Sequence, residues 1–173
     1  MPKIIPNIRE QLLKEAKRQL MEQGYGKTTI RSVASACDLG VGTVYNYFES
    51  KDMLIATFMA KDWKMCISQC HAQTSKYPKD VLSSIHQALT DFISKYQPLF
   101  CDRDAVKVFA GVFEDRHRQL RNQLVEFILP ACKNSSVSDE KFLAEYIAES
   151  LLTWTVAGKS FDEQFEIISK IIK

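Results

Sequence analysis

The chain has 173 residues, enough for one large domain or two small ones, and its 46% hydrophobic and 25% charged content is that of a globular protein with a buried core, not of a disordered or membrane-spanning chain. Its apolar stretches, such as 109–113 and the Ile-rich 167–172 interrupted by Ser169 and Lys170, fall far short of the ~18 residues that cross a bilayer. The net charge of +2 is small, yet residues 1–48 carry seven Lys/Arg against four Asp/Glu while the remainder is close to neutral. The first residues lack an apolar run ending in a small-residue cleavage site, and five cysteines (Cys37, Cys66, Cys70, Cys101, Cys132) argue against a disulfide framework; the expectation is a cytoplasmic protein with reduced thiols and no membrane partner.

Glycines are few and strand-like alternation is absent, so the chain reads as all-helical, with about nine helices. Ile8, Leu12, Leu13, Ala16 and Leu20 recur at helical spacing over 7–23, and Gly24 and Gly26 supply the stop. Thr28 is read as the cap of a second helix of about two turns through Ile30, Val33, Ala34 and Cys37. A tight connection at 38–40 leads to a third short helix over 41–48. Ser50 then caps a long fourth helix, about 50–77, with Ile55, Met59, Trp63, Cys66 and Cys70 on one stripe. Further helices are predicted at 79–97, 99–113, 115–133, 138–157 and 161–172, with Pro98, Pro130 and the turn at 134–136 as punctuation.

Two short helices joined by a tight turn and covered by a preceding helix form the arrangement of a helix-turn-helix. A helix that enters a DNA groove must be small or polar where it faces the bases and apolar where it is anchored. Residues 41–48 meet both needs: Val44 and Phe48 fall inward, while Gly42, Thr43, Tyr45, Asn46 and Tyr47 fall outward. The run 28–34, then 42–48, then 50–54 resembles the TetR family signature in order and spacing over about residues 7–55.

The resemblance implies an N-terminal helix-turn-helix domain, 1–48, and a ligand-binding and dimerisation domain, 49–173. It further implies a transcriptional repressor that binds double-stranded DNA at a palindromic operator as a homodimer and is released by a small-molecule effector. Carried over by position, Val41, Gly42, Thr43 and Tyr45 face bases or adjacent phosphates. Thr28, Thr29 and Arg31 lie beside the backbone at the second helix, Tyr47 and Lys51 grip phosphate, and Asn46 is assigned to phosphate rather than to an adenine edge. Gly40 replaces a common capping serine and Val41 a common polar residue, which reduces hydrogen-bond readout and leaves Val41 to pack on a thymine methyl.

No phosphate loop, nucleophile elbow or zinc-protease motif is present, so an enzyme is not expected, nor is a cofactor or metal. Cys66, Cys70 and His71 offer thiolate and imidazole within a turn and a half, but they continue an apolar stripe and read better as core. His86 and His117, with Asp91, Glu114 and Asp115 nearby in sequence, read as surface groups in helical charge pairs. Trp63, Phe92, Tyr96, Phe109 and Phe113 line a ligand pocket or fill solid core; the sequence leaves both open. The last two helices place apolar residues on more than one face, so Phe142, Tyr146, Ile147, Leu151 and Trp154, with Phe161, Phe165, Ile168 and Ile172, are assigned to a dimer interface. Two rival readings stand beside this one: a DNA binder without effector, and a helical metal- or thiol-redox sensor.

Overall fold

The structure, a computed structural model, describes residues 7–72, 77–133 and 135–172, with no side chains described at positions 69, 71, 72 and 109–116. The described residues form eight α-helices: α1 (Ile8–Gln23), α2 (Ile30–Ala36), α3 (Val41–Tyr45), α4 (Lys51–Ala72), α5 (Pro78–Phe100), α6 (Arg103–Ile128), α7 (Glu140–Val156) and α8 (Phe161–Ile168), with a 3-10 helix at Leu129–Cys132 between α6 and α7. The all-helical class is as the sequence led one to expect. Among the described residues no helix is long and apolar enough to cross a membrane.

Most helix starts follow from their caps. Ser50 Oγ accepts from the Met53 amide at 3.1 Å, as its position predicted, and Asp139 does the same for the Phe142 amide at 2.9 Å. Gly24 closes α1 at φ 81°, a left-handed value that a side chain resists, and its amide donates to the Leu20 carbonyl.

Several expectations about boundaries fail: the third helix ends at Tyr45 rather than at 48 and the last at Ile168 rather than at 172, and the prolines do not punctuate as expected. Pro98 does not end its helix: α5 runs on to Phe100, because Tyr96 and Leu99, 0% and 2% exposed, are held in the core and offset the missing amide. The break falls instead at 101–102, where Asp102 Oδ1 accepts from the Asp104 and Ala105 amides, both at 3.0 Å, and starts α6. Residues 99–133 are then not two helices split at 114; one helix runs from 103 to 128, and Pro130 sits in the first turn of the 3-10 segment, where a missing amide is tolerated.

The chain packs as two compact units, and neither coincides with a division at 48/49. The first comprises Met1–Lys64 and Tyr96–Ala110, the second Met65–Lys95 and Gly111–Lys173. In the first unit α1 packs on α2 and α2 on α3, around Leu12, Ala16, Leu20, Val33, Ala34 and Val44, with Leu54, Ile55 and Phe58 of α4 also buried. In the second unit α7 packs on the 3-10 helix and on α8, and Leu82, Ile85, Leu124, Ile128, Leu143, Ile147 and Leu151 form an apolar core. Full burial of each such side chain contributes about 1.5–3 kcal/mol.

Candidate nucleic-acid interface

α2 is fixed first by its start. Thr29, not Thr28, is the cap: Thr29 Oγ1 accepts from the Ser32 amide and Ser32 Oγ accepts from the Thr29 amide, each at 3.0 Å, so two amides of the first turn are satisfied reciprocally. Thr28 is fully buried and its hydroxyl donates to the Gly24 carbonyl at 2.9 Å, which withdraws it from any surface and corrects both its assignment as cap and its place among the DNA contacts.

Behind the cap lies a polar chain that sequence reasoning did not find. Ser32 Oγ donates to Gln19 Oε1 at 2.6 Å, and Gln19, 2% exposed, donates to Glu15 at 2.7 Å. Arg18 grips the same carboxylate through two nitrogens, at 2.9 and 2.6 Å, and reaches Glu22 as well; this guanidinium holds the Glu15 carboxyl below its ordinary value. The start of α2 is thereby tied to α1. The signal was a Ser three residues after Thr29.

The turn from α2 to α3 needs one left-handed residue, and Asp38 provides it at φ 55°. Leu39 N donates to the Ala34 carbonyl at 2.9 Å, and Gly40 caps α3 by its carbonyl alone, accepting from Thr43 N at 2.9 Å. α3 is then anchored by Val44, 0% exposed, and by Phe48 just beyond it, 4% exposed, over which the Arg9 guanidinium sits 5.4 Å from the ring centre. Val41, Gly42, Tyr45, Asn46 and Tyr47 are exposed and Thr43 is half-buried; Thr29 and Arg31 are exposed at the start of α2. A shallow recess lined by Arg31, Ser35, Asp38, Gly40 and Val41 separates the two helices.

Lys51 is not a free cation. Its ammonium donates to the Tyr25 carbonyl at 3.0 Å and stands 3.5 Å from the centre of the Tyr25 ring, while the Tyr25 hydroxyl donates to Asp52 at 2.5 Å. Burial pushes the Lys51 ammonium below its ordinary value, and burial followed by Asp52 pushes the Tyr25 phenol well above its own.

In the second unit the expected interface residues divide. Phe142, Tyr146 and Trp154 are 50–61% exposed along one face of α7, beside a shallow cleft lined by Glu149, Ser150 and Thr153. Ile147, Leu151, Ile168 and Ile172 are at most 5% exposed within the single chain, so these four are internal core; the three- and four-residue steps that make a stripe do not say which face turns inward. Ile167, beside Ile168 on α8, is 61% exposed. Phe161 and Phe165 are half-buried, stacked at 5.3 Å, and engaged by His86 at 5.7 Å and by Lys79 at 5.6 Å.

His117 pairs with Glu149 at 2.9 Å, with Arg121 on the same carboxylate at 3.5 Å. Asp91 is bonded to Gln87, and the side chains of Glu114 and Asp115 lie outside the described residues.

Of the pocket candidates, Tyr96 is wholly buried, stacked on Phe58 and bonded to Asp62, and is core. Trp63 is buried in the first unit and Phe92 half-buried in the second; the side chains of Phe109, Phe113 and His71 lie outside what the structure describes. Cys70 is buried and donates to the Ser84 carbonyl at 3.8 Å, and burial raises its thiol above the ordinary value, which suits a core residue.

Residues 12–57, which contain this whole helix-turn-helix, match the sequence profile of the bacterial regulatory proteins of the tetR family. The N-terminal region belongs to the TetR family. A 54-residue stretch is 35% identical to the HTH-type transcriptional regulator HbdR of Aromatoleum sp. (strain CIB), spanning 31% of this chain and 24% of that one, so this TetR likeness in sequence covers about a quarter of the relative. Solved structures extend the likeness, as fold, over nearly the whole chain. A transcriptional regulator from Cytophaga hutchinsonii has a TM-score of 0.69 at 17% identity, covering 95% of this chain and 94% of that one. A TetR transcription regulator from Haloarcula marismortui has 0.65 at 18%, covering 95% and 98%. Thermus thermophilus FadR, a TetR family repressor solved with lauroyl-CoA, has 0.56 at 18%, covering 94% and 91%. The TetR fold, an N-terminal helix-turn-helix followed by a helical body, is therefore the fold of this chain.

Proposed function

We propose that this chain is a cytoplasmic transcriptional repressor that binds a palindromic operator as a homodimer and leaves it when a small molecule binds the helical body. The observation that carries the reading is the two-sidedness of α3: Val44 and Phe48 are buried beneath it while Val41, Gly42, Tyr45, Asn46 and Tyr47 stand exposed together, within the segment that matches the TetR profile. Gly42 lets the backbone approach a groove, Tyr45 and Asn46 present donors to base edges or phosphates, and Val41 suits a thymine methyl. Thr29, Arg31 and Tyr47 supply phosphate contacts. Lys51 joins them by exchanging the Tyr25 carbonyl for a phosphate oxygen.

A dimer formed through the Phe142, Tyr146 and Trp154 face of α7 would hold two heads about 34–36 Å apart, one turn of DNA. An effector then acts by preferring a conformation in which that separation is wrong, and a full swing in occupancy requires a preference of about 5 kcal/mol.

The test is direct. Tyr47→Ala combined with Lys51→Ala should weaken binding to all duplexes alike and reduce the slope of log K against log salt by about one, the share of the Lys51 charge, since the neutral Tyr47 hydroxyl adds affinity but releases no counterion. Filter binding or fluorescence anisotropy at several salt concentrations measures this. Unaltered affinity and slope would sink the assignment.

A further inference from the structure

Side chains from three helices meet at one buried carboxylate. Asp62 of α4, 5% exposed, accepts from the Lys17 ammonium of α1 at 2.9 and 2.7 Å and from the Tyr96 hydroxyl of α5 at 2.7 Å. The Tyr96 ring has no exposed surface and stacks on Phe58, one turn earlier on α4, with 6.3 Å between centroids.

Apolar side chains of similar volume would hold three helices together as well, because desolvating a carboxylate offsets much of what its partners return. What the carboxylate adds is direction. Hydrogen bonds lose strength steeply when bent or stretched, whereas apolar contacts tolerate sliding. α1 packs on α2 and α2 on α3, so fixing α1 fixes the reading helices against α4 and α5. Both α4 and α5 run on without a break into residues of the second unit.

We propose that Asp62 is a positioning residue for DNA binding. With Lys17 and Tyr96 it sets the direction in which the helix-turn-helix leaves α4 and α5, and thereby the separation at which two heads of a dimer meet their half-sites. This rests on the dimeric, operator-binding reading above. Asp62 and Tyr96 are buried and cannot reach a phosphate, so their loss should appear in the choice of half-site spacing and not in the grip on one half-site.

The probe is a random-sequence duplex library selected with the full-length wild-type protein. From it come the most enriched palindrome, the same palindrome with its halves moved one base pair apart or together, and a single half-site. Wild type, Tyr96→Phe and Asp62→Asn are compared on all four, with thermal melting as a check on folding. Tyr96→Phe removes one hydroxyl and leaves the ring.

The expected result is a loss of spacing preference by roughly tenfold in Tyr96→Phe, the equivalent of one buried hydrogen bond, and by more in Asp62→Asn, with half-site affinity unchanged. Retention of the full preference in folded Tyr96→Phe overturns the proposal. A fall in half-site and full-site affinity by the same factor overturns it too, since that is what a merely structural role produces. Should Asp62→Asn fail to fold, the Tyr96→Phe result decides. A wild-type protein that enriches no palindrome refutes the dimeric reading and takes this proposal with it, an outcome distinct from the others.

Discussion

Two helices of this protein begin with the same device built from different chemistry. α2 starts on Thr29 and Ser32, two hydroxyls that cap each other's amides; α8 starts on Ser160 and Glu163, where the returning group is a carboxylate. A carboxylate is the stronger partner for a helix start, because it also answers the helix dipole. The first unit does without it at the helix that stands beside the proposed phosphate path, and draws instead on a neutral cap backed by Gln19, with the nearest carboxylate in the chain, Glu15, one link further away and paired to Arg18. The surfaces differ in the same sense. α3 leaves Tyr45, Asn46 and Tyr47 in water, groups that can donate to phosphate, whereas α7 leaves Phe142, Tyr146 and Trp154, a mainly apolar set that gains by being covered. Position along the chain separates a polar surface, which the proposed reading turns toward DNA, from a mainly apolar one, which it turns toward a second copy.

The largest effect should come from crossing α7 from its outer to its inner face. Leu151→Ala removes a fully buried side chain and should lower folding stability by about 2–5 kcal/mol, whereas Trp154→Ala should leave the fold intact and weaken self-association. Denaturant unfolding and sedimentation separate the two; equal losses of folding stability would erase the distinction between the faces.

Of intermediate size is the exchange of one cap chemistry for the other. Ser32→Glu should keep α2 capped but place a carboxylate near phosphate, lowering DNA affinity by about tenfold and the salt slope by about one, while Ser32→Gln should be nearly silent. If both variants bind alike, the neutrality of this cap has no bearing on DNA.

The smallest effect is a difference in acid response. The Lys159 ammonium, then the Ser160 amide and hydroxyl, hold the Glu163 carboxyl down at about 2 against an ordinary 4.5. Because the folded value is depressed, this contribution is complete above pH 4.5 and is lost as pH falls from there toward 2. Thr29 and Ser32 carry no titratable group, so the cap of α2 contributes none of this response. Glu163→Gln should flatten that part of an acid melt followed by circular dichroism, and an unchanged acid profile would contradict the depressed value.

The helix-turn-helix was legible because its information is local: the stripe of Val33, Val44 and Phe48, the polar turn and the Ser50 cap all lie within a few residues of what they control. Thr28 and Thr29 show the limit of local reading. Both are good caps by type, and the choice was settled by Ser32 three residues after Thr29 and by a Gly24 carbonyl that takes up Thr28. Pro98 misled because tertiary burial of its neighbours outweighed a local penalty. On α7 the periodicity was right and the inward face wrong for Ile147 and Leu151, since two apolar faces on one helix carry no mark of which one the chain itself covers. Asp62 was invisible for a simpler reason. Its partners lie 45 and 34 positions away, and nothing near it in sequence distinguishes it from a solvated helix acid.

That separation has a consequence in time. During synthesis the first 64 residues can form α1 to α3 and the first turns of α4, but Asp62 waits for Tyr96 to be made. At ribosomal rates of about 5–20 residues per second, those 34 positions amount to about 2–7 s. For that interval the nascent helix-turn-helix holds a carboxylate that has Lys17 and lacks its hydroxyl donor. It completes its packing only when the C-terminal turns of α5 and the start of α6 arrive.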